Sequence, residues 1–297
     1  MHAGELVVSE EAVRALVAAQ FPRWAGYPVR RIASSGTVNA IFRIGEQLAA
    51  RFPLVGDDPE AARELLAAEA LAGAEFADRS PFPAPVPVAV GAPGPGYPLP
   101  WAVQTWLPGT VATDGDLSDS DEFAQDLATL IAALRATDTR GRTFGGSNRG
   151  GDLHRHDAWV ATCLHNSEHL LDVAAAARMW DSFRDLPRTA PDVMTHGDLI
   201  PANLLTADGR LTGVLDGGGF TPADPALDVI AGWHLLDDGP RATFRAALGC
   251  GDLEWERSKA WAFEQAMGAV WYYVDTNRAM STMGRRTFAR LGVHTLA

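Results

Sequence analysis

The stretch RSPFPAPVPVAVGAPGPGYPLP, residues 79–100, places eight prolines within twenty-two positions. Each proline fixes its own φ and removes a backbone donor, so the segment is extended and cannot be helical. It therefore separates two textures. Before it, SEEAVRALVAAQ reads as a short helix, and VRRIASSGTVNAIFRIGEQLAARFP as two or three short strands broken at Ser34, Ser35, Gly36 and Gly45. A helix then starts near Pro59 and runs past Leu65, Leu66, Glu69 and Leu71 to about Phe76. After the prolines, WAVQTWLPG gives one more strand that stops at Pro108 and Gly109.

Beyond that strand the pattern turns helical. DSDEFAQDLATLIAALRAT opens with Asp and Ser cap candidates and continues with helical spacing. Further helices are expected over 155–180, 225–236, 239–248 and 252–280. DGDLSDSDE alternates acids but lacks the central Gly and terminal Glu spacing of a calcium loop, so it reads as a cap and solvated turn. The plan is α+β: a small strand-rich part with its hinge strand over 1–107 and a larger helical part over 108–297.

The chain's 297 residues suffice for one large domain or two lobes sharing a site. A formal net charge of −12 argues against a phosphate-backbone binder, which needs a basic stripe, so no nucleic-acid partner is expected. An acidic chain suits a cationic small molecule, though acidity also serves solubility. Cys163 and Cys250 make no disulfide framework and no metal-ligand spacing. No apolar run reaches the roughly 18 residues of a membrane span, and MHAGELVVSEE lacks a signal peptide's basic start and apolar core. A cytoplasmic protein with free thiols and no membrane contact is expected. Lys259 is the only lysine, so any cation that grips phosphate is an arginine.

MTHGDLIPANLL, residues 194–205, sets His196, Asp198 and Asn203 in an otherwise apolar stretch. Three such side chains are costly there unless each has a partner or a task. A hairpin follows, with Asp208 and Gly209 as turn residues between NLLT and LTGVLD, and it carries Asn203 at one end and Asp216 at the other. Amide and carboxylate oxygens converging at a strand end suit Mg²⁺ bound together with phosphates. Asp198 is then placed to orient a hydroxyl and accept its proton, the division of labour that phosphoryl transfer needs.

HGDLIPAN resembles the H-R-D-x-x-x-x-N catalytic loop of protein kinases in the form used by the aminoglycoside phosphotransferase family, where Gly replaces the Arg. Asp216 stands where the metal-binding Asp of D-F-G stands, and TPADPALDVIAGWHLL is similar to the family's GDPA-x-DLA segment and its helix. SGTVNAIFRIG, LAARFP and WAVQTWLPG look like its nucleotide flap, cation-bearing strand and hinge, and GGSNRGGDLHRHDA and WYYVDTN match its bacterial members. The resemblance covers most of the chain. It implies a two-lobed protein-kinase-like fold, with a small antiparallel sheet lobe that binds nucleotide and a larger helical lobe that holds the catalytic loop and the acceptor.

By the same resemblance Asp198 is the catalytic base, Asn203 and Asp216 hold Mg²⁺, and His196 braces the loop. Arg51 contacts the phosphates of ATP or GTP and pairs with a helix carboxylate, Glu69, with Glu64 as competitor. Ser35, Gly36 and Thr37 offer amides and hydroxyls to phosphate, and the backbone of Gln104, Thr105 and Trp106 receives the base. One departure stands out. Asp216 is followed by GGGF, where an aromatic residue and then one Gly are expected. Three glycines give this loop extra backbone freedom, which predicts either ordering on nucleotide binding or a weakened metal position.

The implied activity is transfer of the γ-phosphoryl group of ATP or GTP to a hydroxyl of an aminoglycoside-like antibiotic. Kinases of a macrolide, another hydroxylated metabolite or a sugar are the alternatives within that class. A nucleotide-binding pseudoenzyme and a metal-dependent phosphohydrolase using His196, Asp198, Asp216 and Asp224 are the alternatives outside it. Candidate acids for a cationic acceptor are Asp152, Asp157, Asp224, Asp228, Asp237, Asp238, Glu264 and Asp275. Trp261, Trp271, Tyr272 and Tyr273 are core residues or the wall of a macrolide pocket. Oligomeric state is left open.

Overall fold

A computed structural model of the chain describes residues 6–32, 38–113, 117–146, 148–188 and 190–294. The chain forms two compact units. The first comprises Met1–Asp78, Pro83–Pro108 and Val214–Gly219; the second comprises Arg79–Phe82, Gly109–Gly213 and Phe220–Ala297.

In the first unit α1 (Glu10–Gln20) is capped by Ser9, whose hydroxyl accepts from the Ala12 amide, and it buries Val13, Leu16 and Val17. Strands β1 (Val29–Ile32), β2 (Asn39–Ile44) and β3 (Leu48–Pro53) lead to α2 (Pro59–Arg79), and β4 (Pro87–Gly91) and β5 (Trp101–Thr105) complete an antiparallel sheet. Its order is β1-β2-β3-β5-β4. β2 alternates, with Ala40, Phe42 and Ile44 facing inward, as a sheet with one face on a core requires. Phe52 stacks on Trp101 with centroids 4.8 Å apart and meets Phe42 and Tyr97 edge-on. β4 lies inside the proline-rich segment. Pro87 is its first residue and the strand is at the sheet edge, the two positions where a missing amide donor costs least.

In the second unit β6 (Thr110–Val111) precedes α3 (Asp121–Arg135), which Ser120 caps. Helices α4 (Asp157–Asn166) and α5 (Val173–Phe183) lead to β7 (Val193–Thr195), β8 (Leu204–Ala207), β9 (Arg210–Val214) and β10 (Thr221–Ala223). Helices α6 (Ile230–Leu235), α7 (Asp238–Leu248), α8 (Asp252–Tyr272) and α9 (Arg278–Leu291) close the chain. The strands form a β6-β8-β9 sheet and a β7–β10 pair. Asp208 and Gly209 both adopt positive φ, 50° and 77°, as the tight turn between β8 and β9 needs.

Three expected helices change. The one over 155–180 is two, because Asp172 caps α5 and starts it anew. The one over 252–280 ends at Tyr272, and Asn277 caps α9. The one over 225–236 begins only at Ile230. Among the described residues no helix is long and apolar enough to cross a membrane.

Candidate active site

In the first unit β3 carries Arg51, paired in register with Ile41 of β2 and Ala102 of β5. Its Nη2 donates to Asp216 Oδ1 at 2.8 Å. The hydrogen-bonded partner of Arg51 is thus Asp216, in place of the expected Glu69. Glu69 projects from α2 into the same cavity of about 260 Å³, which Arg51, Gln104, Asp216, Gly217 and Gly218 also line. Burial pushes the Glu69 carboxyl above its usual range, with Arg51 pulling it down and Asp216 pushing it further up. Glu64 is exposed on the same helix, so of the two glutamates it is Glu69 that shares the cavity with Arg51. Of the hinge residues, Gln104 reaches the cavity. The Thr105 and Trp106 amides are already engaged by the carbonyls of Val86 and Gln47, at 2.9 and 2.7 Å. Ser35, Gly36 and Thr37 lie outside the described residues.

The glycines after Asp216 have a different purpose from the expected one. None of Gly217, Gly218 and Gly219 has positive φ, so their conformational freedom is not used. What matters is the absent side chain. A Cβ on Gly217 would stand 2.4 Å from the Phe76 ring, and one on Gly218 would stand 3.2 Å from Glu69 Cβ. Phe76 of α2 is fully buried and occupies the space that an aromatic residue at 217 would claim. Asp216 itself has φ of 61°, a left-handed value unusual for a residue with a side chain.

In the second unit β7 ends at Thr195 and the HGDLIPAN loop follows. Gly197 has φ of 81°, which accounts for the Gly of HGD. The amides of His196 and Gly197 donate to the two oxygens of Asp228, each at 2.8 Å. Burial raises the Asp228 carboxyl pKa, opposed by His196 and by these two amides. The Asp198 amide donates to His196 Nδ1 at 3.3 Å, so His196 and Asp228 together set the loop. Asp198 then presents a partly exposed carboxylate, 38% accessible. Its Oδ1 accepts from Gln265 Nε2 at 2.6 Å and from Arg149 Nη2 at 3.1 Å. Its Oδ2 accepts from Asn203 Nδ2 at 3.0 Å. Asn203 Nδ2 also donates to the Asp198 carbonyl, so the Asn203 Oδ1 is the atom it can offer to a cation. An amide oxygen is a hard donor of the kind Mg²⁺ takes, and in the first unit the half-exposed carboxylate of Asp216 is another.

Sequence reasoning named Asp198 but neither Arg149 nor Gln265. Arg149 lies within the quoted GGSNRGGDLHRHDA, and Gln265 within the aromatic run whose rings drew attention from it. Most candidate acids prove internally occupied. Asp224 accepts from Arg257 Nε at 2.8 Å and from Trp261 Nε1 at 3.1 Å. Glu264 is buried against His156 at 2.8 Å, Asp157 holds Arg184 and Trp180, and Asp237 holds Arg290. Asp238 pairs with Arg241, and Asp152 caps the turn before α4, while Asp275 is exposed. Trp261 is core, whereas Trp271, Tyr272 and Tyr273 form a partly exposed edge-to-face ladder. Among the described residues, no group of three or more His, Cys, Asp and Glu side chains is placed to hold a metal ion.

The family model of the phosphotransferase enzymes matches residues 29–261. An aminoglycoside 3'-phosphotransferase of Escherichia coli is 36% identical over 64 residues, 21% of this chain; the match spans about a quarter of that relative's length, 24%. The GDP complex of wild-type aminoglycoside 2'-phosphotransferase-IIIa superposes with a TM-score of 0.69 at 17% identity, covering 95% of this chain and 97% of that one. A macrolide 2'-phosphotransferase from Brachybacterium faecium gives 0.60 at 20% identity, covering 94% and 98%. The two structural likenesses are of fold, a small antiparallel sheet lobe with a larger helical part. The family match, over most of the chain, places it in the phosphotransferase enzyme family.

Proposed function

We propose that the chain transfers the γ-phosphoryl group of ATP or GTP to one hydroxyl of an aminoglycoside-like antibiotic. The observation that carries the reading is Asp198: a half-open carboxylate fixed by three donors, beside an Asn whose amide is turned to leave its oxygen free. The acceptor oxygen attacks the γ-phosphorus, the bond from that phosphorus to the β–γ bridging oxygen breaks, and the nucleoside diphosphate leaves. The hydroxyl proton passes to Asp198. In a loose transition state little of that proton has moved at the barrier, so aligning the hydroxyl outweighs basicity. Asn203 and Asp216 are the proposed ligands of Mg²⁺, which when bound neutralises phosphate charge. Arg51 steadies the phosphates, with Glu69 lining the same cavity. Ser35, Gly36 and Thr37 are the proposed amide and hydroxyl donors to the phosphates, and the Gln104–Trp106 strand end borders the base. In this reading residues 1–107 bind nucleotide and 108–297 bind the acceptor.

The neighbour solved with GDP supports a purine nucleotide as donor. The relatives named for aminoglycosides support that acceptor class, and the net charge of −12 suits its ammonium groups. The macrolide reading stands second. It is favoured by the internal pairing of most candidate acids and by the partly exposed Trp271, Tyr272 and Tyr273 ladder. A hydrolase is disfavoured because His196 is buried and holds the catalytic loop, and Asp224 is spent on Arg257 and Trp261.

The test is a mass-spectrometric screen of purified protein with Mg²⁺, ATP or GTP, and a panel of aminoglycosides, macrolides and sugars. One phosphate added to an aminoglycoside supports the proposal, and addition to a macrolide or sugar alone replaces it with the second reading. Phosphate ester cleavage without an acceptor, or nucleotide binding with no transfer to any compound, counts against both.

A further inference from the structure

We infer that Gln265 is a positioning residue for Asp198, aimed from behind by a chain of hydrogen bonds through His234 and Thr287. The inference deepens the reading above and rests on it, since it takes Asp198 as the group that orients the acceptor hydroxyl.

Three helices supply the chain: His234 from α6, Gln265 from α8 and Thr287 from α9. Gln265 Nε2 lies 2.6 Å from Asp198 Oδ1, Gln265 Oε1 lies 3.1 Å from His234 Nε2, and His234 Nδ1 lies 2.8 Å from Thr287 Oγ1. His234 and Thr287 are buried, so each of their polar atoms must find a partner within the protein.

Chemistry then fixes the direction of every proton. An ionised carboxylate only accepts, so the Gln265 amide nitrogen faces Asp198 and its oxygen faces His234. That oxygen also only accepts, so His234 must carry its proton on Nε2. Burial holds this imidazole neutral, its pKa pushed down to about 3, which leaves Nδ1 a bare acceptor. The Thr287 hydroxyl fills it. Thr287 Oγ1 also lies 2.9 Å from the Met283 carbonyl, but that carbonyl already takes the helix amide four residues on, so it can forgo the single hydroxyl proton. The chain runs Thr287 to His234 to Gln265 to Asp198, each donor pointing toward the carboxylate.

The consequence is a division of the carboxylate. Oδ1 is taken by Gln265 and Arg149, while Oδ2 takes Asn203 alone. Oδ2 therefore keeps the lone pair that faces the acceptor hydroxyl, and Gln265 sets the angle at which it does so. Charged and titratable groups around the chain are Arg149, Glu264 and His156 on the Asp198 side and Arg290 behind His234.

The test pairs nitrogen-15 NMR of the His234 ring with steady-state kinetics of Gln265→Leu. The unmutated protein is expected to show the neutral Nε2–H tautomer. Gln265→Leu removes the acceptor and should switch it to Nδ1–H, which can donate to Thr287 Oγ1. The same variant should lose about 100-fold in kcat, the scale of a small misplacement, with nucleotide KM unchanged. An Nδ1–H tautomer in the unmutated protein, or an unchanged kcat in the variant, overturns the inference. The tautomer reports on the chain whether or not an acceptor has been found, so absence of any transfer by the unmutated protein counts against the function alone.

Discussion

His234 is held neutral by its surroundings, and this gives the stability of the protein a pH dependence of known sign. Burial pushes its pKa from 6.5 to about 3, with Arg149 and Arg290 adding to the depression and the Gln265 hydrogen bond opposing it. Between those two values the unfolded chain binds a proton that the folded chain refuses. The contribution is complete above about pH 6.5 and is lost as pH falls toward 3, at up to about 1.4 kcal/mol per pH unit. Urea unfolding at pH 7 and pH 5 should show this loss, and His234→Gln should remove that share of the slope. An identical slope in the variant would mean that another group carries it. The cysteines follow the same logic in the other direction. Burial raises Cys163 to about 11 and Cys250 to about 12, so both stay protonated and inert near neutral pH.

At the scale of elements, the contact between α2 and the turn after Asp216 decides how closely two segments of the first unit approach. Gly217 is permitted there because Phe76 fills the space beside it. Gly217→Ala is expected to destabilise by roughly 1–3 kcal/mol, since a buried ring and backbone must shift for one methyl group. Phe76→Ala alone should cost about 3–5 kcal/mol by opening a cavity, and the double variant less than the sum. Additive values in denaturant titrations would show that the two residues do not compete for space. GGGF is visible in the sequence, but the reason for it is not, because Phe76 and Gly217 are far apart in the chain and only tertiary packing joins them. The same limit hid two partners of Asp198. Asn203 is five residues away, within one motif, whereas Arg149 and Gln265 reach it across 49 and 67 residues. The hairpin after Asn203 was legible because its Asp-Gly turn is a local backbone requirement. The breaks before α5 and α9 were signalled by Asp172 and Asn277, but helical periodicity on both sides concealed them.

At the scale of the whole molecule, the proposal gives phosphate-side roles to Arg51 and Asp216 and acceptor alignment to Asp198. Net acidity is real, but many acids serve arginines and helix caps within the fold, so fewer charges than the total implies remain for any cationic ligand. Asp198 is proposed to align the acceptor hydroxyl. This is tested most directly by following γ-phosphoryl transfer in the unmutated chain and in Asp198→Asn, with nucleotide affinity measured in parallel. A fall in kcat of about 10²- to 10⁴-fold with unchanged nucleotide Kd is the predicted result. Transfer by Asp198→Asn at the unmutated rate would contradict the account.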